Sequence, residues 1–403
     1  MTRSLYGLDW LNFFVADFQT GFGPFISVYL NGVGWSQAAI GTALSIGTIA
    51  GMASQIPGGA LADAVQDKRV AIATAIVATM ASALIIAMWP TLLAINCAEV
   101  LHSFAASVMG PAIAALSLAL VCPSVFGERL GRNARYAAIG NASAAGLMGA
   151  CGSYFSARAV FFLTAALCLP AMAALALIRG ADLRHRKVKP IPPLEPQPVG
   201  RPWRFLADRR FLAYLACACL FHLANAAMLP IAAGMVTKRA GGEASALIAA
   251  AIVGPQMITA LISPWAGRAA ERWGRRPILL LGYGALPVRG VLLASITDPY
   301  FIILIQLFDG LGAAVFGVLT PLVVSDIARD TGRYTTSLGV IGLAIGGGAA
   351  LSTTAAGLIA DNFGGTTAFL SLAGAGLCAT LFVWSVMPET RPAATRRTRD
   401  LNS

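Results

Sequence analysis

Twelve apolar segments, separated by short polar turns, dominate this sequence of 403 residues. A run of about 20 apolar residues is long enough for one helix to span a bilayer. Charged residues make up only 12% of the chain, roughly half of the share that is usual in soluble proteins. We therefore predict an all-α membrane protein with twelve transmembrane helices and too little remaining chain for a soluble catalytic domain, so an enzyme is not expected. The predicted helices lie at 8–30, 36–62, 70–88, 92–121, 135–155, 158–178, 211–236, 244–265, 277–296, 300–325, 335–360 and 366–387.

One polar segment, 179–210, interrupts this series after the sixth helix. It is basic and rich in proline, a composition that is typical of linkers. We predict an N-terminal six-helix bundle at 1–178, a linker at 179–210, a C-terminal six-helix bundle at 211–387 and a basic tail at 388–403.

The distribution of Lys and Arg predicts how the helices are oriented. In the twelve-helix arrangement, 25 of the 29 basic residues lie on the same side of the membrane as the N-terminus. Basic residues near span ends stay on the cytoplasmic side, so both termini and the linker are predicted to be cytoplasmic. The net charge of +11 is then explained by topology in a lipid bilayer, and a nucleic-acid partner is not expected.

The two halves of the sequence are similar to each other. The fourth helix contains HSFAASVMG from His102, and the tenth contains DGLGAAVFG from Asp309. The turn after the second helix begins with Gly59, and the turn after the eighth begins with Gly267. The two members of each match are separated by nearly the same number of residues. These matches predict two six-helix pseudo-repeats.

The turn after the eighth helix reads GRAAERWGRR and resembles the G-x-x-x-D-R-x-G-R-R loop of the major facilitator superfamily, with Glu in place of Asp. The turn after the second helix, GALADAVQDKR, keeps the glycine, the acid and the final basic residues but lacks the first Arg and the second Gly. In this family such loops act as a conformational latch. The resemblance therefore implies latch roles for Gly59, Asp63, Arg69, Gly267, Glu271, Arg272, Gly274, Arg275 and Arg276.

The resemblance also implies a secondary transporter that works by alternating access, with a central cavity lined by the first, fourth, seventh and tenth helices. The four lysines all lack a preceding glycine, so the sequence contains no GxxxxGK[ST] loop for ATP. We therefore expect an ion or substrate gradient to supply the energy, without a cofactor.

Ionisable residues inside the predicted spans are candidates for function because they are costly in hydrocarbon. Removal from water favours the protonated form of a carboxyl group. Asp17 is thus the first candidate for proton coupling, and the Glu99/His102 pair, which shares one helix face, is the second. The complete candidate set for coupling and substrate binding is Asp17, Glu99, His102, His222, Asn225, Asp309 and Arg289.

Arg289 and Asp309 flank the turn between the ninth and tenth helices at similar distances. They are therefore predicted to lie at similar depth, where they could form a buried ion pair. Such a pair has either a structural role or a role in transport, and the sequence does not choose between them.

The leading functional hypothesis is a monomeric, proton-coupled exporter of a small organic solute in the inner (plasma) membrane, similar to the drug and metabolite:proton antiporters of the family. One alternative is a transition-metal or metal-chelate carrier that uses Asp17, His222 and Cys217 or Cys219, although no residue spacing defines a metal site. An alternative of another class is a non-transporting protein for membrane assembly or sensing.

Overall fold

The computed structural model describes residues 2–22, 24–184, 204–239, 244–328 and 331–392. Apart from short turns, these residues are helical. Most of the predicted linker (185–203) and most of the predicted tail (393–403) lie outside the described residues. The α-helices are α1 (Thr2–Thr20), α2 (Pro24–Gly32), α3 (Gln37–Ala64), α4 (Lys68–Met88), α5 (Leu92–Leu120), α6 (Phe126–Tyr154), α7 (Ala157–Ala176), α8 (Gly180–Arg184), α9 (Arg209–Asn225), α10 (Met228–Arg239), α11 (Ala244–Trp273), α12 (Arg275–Ser295), α13 (Pro299–Ala328), α14 (Tyr334–Phe363) and α15 (Gly365–Val386).

Ten helices within the described residues are long and apolar enough to cross a bilayer, if α9 and most of α10 are counted as one. The protein is therefore a multi-pass membrane protein. Two predicted spans are outside this set. The span 8–30 is divided between α1 and α2, and the span 135–155 lies within α6 except for its last residue. A total of twelve spans remains a prediction.

The first and seventh predicted helices are both interrupted, which the apolar pattern did not predict. α1 ends at Thr20 and α2 begins at Pro24, a residue that is favoured in the first turn of a helix because it has no N–H to donate. α9 ends at Asn225 and α10 begins at Met228. At the second break, the Ser352 hydroxyl accepts a hydrogen bond from the Ala227 N–H (3.2 Å), which replaces a lost helical bond.

The start of α6 corrects the sequence prediction. The fifth span was predicted from 135, but the helix begins at Phe126, and its first turns contain Arg129, Arg132 and Arg135. Hydropathy marks only the apolar part of a helix, whereas arginine is a good helix former that continues the helix into the polar zone.

The described residues divide into two compact units. Unit 1 comprises those within 1–122, 136–200 and 332–339, and unit 2 comprises those within 123–135, 201–331 and 340–403. Unit 1 consists mainly of residues before 201 and unit 2 mainly of residues from 201 onward, with two exceptions. These are 123–135, which includes the start of α6, and 332–339, which includes the start of α14.

Each unit has its own apolar core. In unit 1, side chains from α1, α4, α5 and α7 pack together, including Leu11, Phe18, Ile72 and Met109. In unit 2, a comparable cluster from α10, α12, α13 and α15 includes Met228, Leu293 and Phe369. These cores fix the helices from which the candidate polar residues project.

Candidate functional site

In unit 1, Asp63 at the end of α3 binds the first turn of α14. Its Oδ1 accepts a hydrogen bond from the Thr335 N–H (3.0 Å). Its Oδ2 accepts bonds from the Thr336 N–H (2.8 Å) and the Thr336 hydroxyl (2.6 Å). A carboxylate at this position satisfies N–H groups that have no helical partner and interacts favourably with the helix dipole. We call this contact the first latch.

Gly59 allows the first latch to form because a Cβ at this position would overlap the Thr335 backbone. The Thr335 hydroxyl donates to the Gly59 carbonyl at 2.6 Å. Lys68, at the start of α4, donates from Nζ to the Ala62 carbonyl (2.6 Å), so it caps the end of α3. Arg69 was predicted to belong to the latch, but its guanidinium instead pairs with Asp67.

In unit 2, Glu271 at the end of α11 makes the corresponding contact, which we call the second latch. Its Oε1 accepts a hydrogen bond from the Gly127 N–H in the first turn of α6 (3.0 Å). Gly267 approaches the Gly127 backbone so closely that a Cβ at 267 would collide with it. The glycine and acid predicted from the motif thus bind a helix start in each unit.

A charged network extends the second latch. Arg275 donates from Nη1 to Glu271 (3.0 Å) and from Nε to Asp326 on α13 (2.8 Å). Arg275 also donates to the Ala270 carbonyl (3.0 Å), the bond that corresponds to Lys68 and Ala62 in unit 1. Among the described contacts, Lys68 binds only carbonyl oxygens, whereas Arg275 also binds two carboxylates. The residue type explains this difference, since a guanidinium has enough donors to bridge two carboxylates and a carbonyl.

Glu389, just after α15, is a further part of the second latch that sequence reasoning missed. Its carboxylate accepts hydrogen bonds from the Arg275 N–H (2.9 Å) and the Arg276 N–H (3.2 Å) at the start of α12. Gly274, the residue before α12, has φ +104° and no side chain to cap the helix. The Arg276 side chain donates to the Trp384 carbonyl, whereas the Arg272 side chain is exposed.

We expect Asp63→Ala to weaken the start of α14. The loss of an N-terminal capping side chain costs about 0.5–2 kcal/mol of stability. Hydrogen–deuterium exchange should therefore accelerate at the amides of Thr335 and Thr336. Asp67→Ala is the matched control, because Asp67 caps α4 through the Arg69 N–H and should leave the α14 amides unchanged. Equal exchange at the α14 amides of wild type and Asp63→Ala would show that this contact contributes nothing in solution.

Two carboxyl groups inside unit 1 have oxygen atoms without a hydrogen-bond partner among the described residues. Asp17 on α1 is 1% exposed and its Oδ1 is unpaired. Glu99 on α5 is 6% exposed and its Oε1 is unpaired. The Glu99 carboxyl packs against Gly47 of α3, where any side chain would collide with it.

Glu99 and His102, the candidates that share one helix face, form no ion pair with each other among the described contacts. The His102 ring instead stacks on Phe22 at the break between α1 and α2, with ring centroids 3.6 Å apart and planes 4° from parallel. Its Nδ1 has no hydrogen-bond partner among the described residues. Spacing on one helix face allowed the pair, but Glu99 is directed to α3 and His102 to Phe22.

In unit 2, Arg289 and Asp309 form the ion pair that their positions suggested. Arg289 on α12 is 1% exposed, and its Nη1 donates to Asp309 Oδ1 on α13 (2.6 Å). The same Nη1 donates to Asn225 Oδ1 at the end of α9 (2.6 Å), and Nε donates to Gln306 Oε1 (2.9 Å). Gln306 was not predicted, although it precedes Asp309 by one helical turn.

His222 lies on α9, one turn before Asn225. Its Nδ1 is 3.1 Å from the Ala218 carbonyl oxygen, and its ring meets Phe316 edge to face with centroids 4.8 Å apart. The ring is therefore held by the helix backbone on one side and by an aromatic residue of α13 on the other.

Comparison with known proteins decides the family. The model of the major facilitator superfamily matches residues 9–254 and 239–401. The chain belongs to the major facilitator superfamily. This confirms the family inferred from the loop at Gly267–Arg276. The protein is a secondary transporter of the membrane and not an enzyme.

The relatives agree with this assignment. A protein of Mycobacterium tuberculosis described as an uncharacterized MFS-type transporter is 37% identical over 395 residues, which are 96% of this chain and 94% of that protein. A multidrug resistance protein B homolog of the same species is 27% identical over 212 residues, 50% of this chain and 39% of that protein. The solved structure of a proton:xylose symporter, bound to 6-bromo-6-deoxy-D-glucose, matches with a TM-score of 0.71 at 15% identity over 96% of this chain and 95% of that one, a likeness of fold.

Proposed function

We propose that this transporter exports a small organic solute across a bacterial inner membrane in exchange for protons, and that Asp17 and Glu99 carry the protons. The observation that carries this proposal is the contrast between the acids inside the two units. Asp309 in unit 2 is bound to Arg289, whereas Asp17 and Glu99 in unit 1 have buried oxygen atoms without a hydrogen-bond partner among the described residues.

This contrast matters because an ionised carboxylate without a partner is costly when it is removed from water. Protonation removes that cost, and exposure to water restores the ionised form. An unpaired buried carboxyl group therefore changes its proton occupancy when its access to water changes, as proton exchange requires. A carboxylate bound to a buried guanidinium has a permanent counter-charge and does not need the proton.

The two latches support the alternating-access part of the proposal. Each one connects the end of α3 or α11 to a helix start through carboxylate hydrogen bonds that can break and form again. Export is supported by the partial similarity to the multidrug resistance protein B homolog. No group of three or more His, Cys, Asp or Glu residues suited to a metal ion occurs within the described residues, so nothing observed favours a metal carrier.

The test is solute uptake into proteoliposomes under an imposed pH gradient. A ligand screen by thermal stabilisation of the purified protein, at two pH values, first supplies the solute. For one-to-one exchange we expect about tenfold accumulation per pH unit, because each unit is worth about 1.4 kcal/mol. A protonophore should abolish the accumulation. Equal distribution of every stabilising solute, with and without the gradient, would rule out proton coupling, and a complete lack of flux would favour a non-transporting role.

A further inference from the structure

Arg289 is a buried cation of unit 2, and most of its donors are already used within the protein. A guanidinium has five N–H donors, and Arg289 makes four hydrogen bonds with them, two to Gln306 and one each to Asp309 and Asn225. The side chain is 2% exposed. Arg289 is therefore not available to bind a carboxylate or phosphate of a solute.

Asp309 is the accessible end of this ion pair. Its side chain is 27% exposed, and Oδ1 is the atom bound to Arg289. Oδ2 accepts no hydrogen bond from the residues that the structure describes. The pair thus has a buried positive end and a partly exposed negative end, which retains an unused acceptor.

His222 adds a second acceptor, one helical turn before the Asn225 that shares Arg289 with Asp309. A carbonyl oxygen can only accept, so the contact with Ala218 requires the proton on Nδ1. In the neutral imidazole, Nε2 then has a free lone pair. Asp309 acts electrostatically on His222. Asn225 lies one turn after His222 and accepts from the same Arg289 Nη1 as Asp309. His222 and Asp309 are both partly exposed.

We propose that Asp309 and His222 bind a protonated amine of the transported solute. A primary or secondary ammonium group would donate one hydrogen bond to Asp309 Oδ2 and one to His222 Nε2. Hydrogen bonds between two charged groups are shorter and stronger than those between neutral groups. A solute carboxylate would face the negative end of the ion pair and be repelled. This inference rests on the proposed function and names the substrate class that these residues of unit 2 would bind.

The test compares three probes that share a phenyl ring and a short linker but differ in the head group: 2-phenylethylamine, 2-phenylethanol and phenylacetate. Binding to the purified full-length protein is measured by saturation-transfer NMR at a pH where the amine is protonated. The amine is expected to bind about tenfold more tightly than the alcohol, and the acid more weakly still. Equal affinity of amine and alcohol, preference for the acid, or no binding of the amine would overturn the proposal.

Asp309→Asn removes the charge at nearly constant shape and is expected to abolish the preference for the amine. Because it also removes the counter-charge of Arg289, folding of this variant is checked by size-exclusion chromatography. His222→Phe is the second variant, since it retains an aromatic ring against Phe316 and leaves Arg289 untouched. It should weaken amine binding severalfold. Asp361→Asn, at an exposed acid of α14, is the matched control and should bind like wild type. An unchanged amine preference in His222→Phe and in folded Asp309→Asn would refute the site.

The two proposals fail in different ways. If the amine binds as expected but no pH gradient drives flux, proton exchange is wrong and the amine site stands. If a pH gradient drives the flux of a solute that lacks an amine, and the amine probe does not bind, the amine site is wrong and proton exchange stands.

Discussion

Replacement of Arg289 with methionine is expected to lower the free energy of unfolding by about 3–5 kcal/mol. The variant leaves the Asp309 carboxylate without its counter-charge and removes the donors that satisfy Gln306 and Asn225. Gln306 is fully buried, so water cannot replace the lost hydrogen bonds without a rearrangement of the helices. Chemical unfolding in detergent, followed by circular dichroism, measures the loss, and the yield of monodisperse protein provides an independent readout.

The double variant Arg289→Met, Asp309→Leu separates a structural pair from a transport residue. Removal of both charges leaves no uncompensated ion, so the double variant should recover much of the stability lost in Arg289→Met. Its amine binding should nevertheless be absent, since Asp309 is gone. If the two substitutions instead destabilise the protein additively, the Arg289–Asp309 contact contributes no coupling energy.

The second large effect is expected from Asp17→Asn and Glu99→Gln. An amide has nearly the shape of a protonated carboxyl group but cannot release a proton. Each variant should therefore lose the roughly tenfold accumulation per pH unit that the wild type shows. Exchange of labelled for unlabelled solute should continue, because that process needs no net proton movement.

The control for this pair is Asp361→Asn, which removes an exposed acid from α14. It should accumulate solute as well as the wild type. Asp17 and Glu99 are tested separately, since each has a buried oxygen that lacks a partner within the described part of the chain. Normal gradient-driven accumulation in both single variants would mean that protons bind elsewhere. A loss in only one would identify the coupling residue.

The sequence predicted the features that depend on local pattern. Runs of apolar residues located every long helix, because each span must satisfy its own backbone in the bilayer. The repeated glycine and acid located Asp63 and Glu271, and similar distances from one turn paired Arg289 with Asp309. Boundaries were less accurate where charged residues continue a helix, as at the start of α6.

Hydrogen-bond and ion-pair partners that are distant in sequence could not be predicted. Glu389 and Asp326 join Arg275 from segments 114 and 51 residues away, and neither stands in a pattern that marks its partner. Gln306 is an uncharged residue in an apolar helix, and its role in binding Arg289 is evident only from the structure. Glu99 and His102 show the converse, since a favourable spacing on one helix did not produce a contact.

The exchanged starts of α6 and α14 bear on how this chain arose. Residues 332–339 belong to unit 1 and residues 123–135 to unit 2, so neither half of the polypeptide contains all parts of one unit. If the two predicted pseudo-repeats descend from one ancestral unit, that unit would have had an acid such as Asp63 whose partner helix start lay in a second copy. Two such copies would satisfy each other in a symmetric homodimer. Gene duplication and fusion would then have joined partners that already depended on each other.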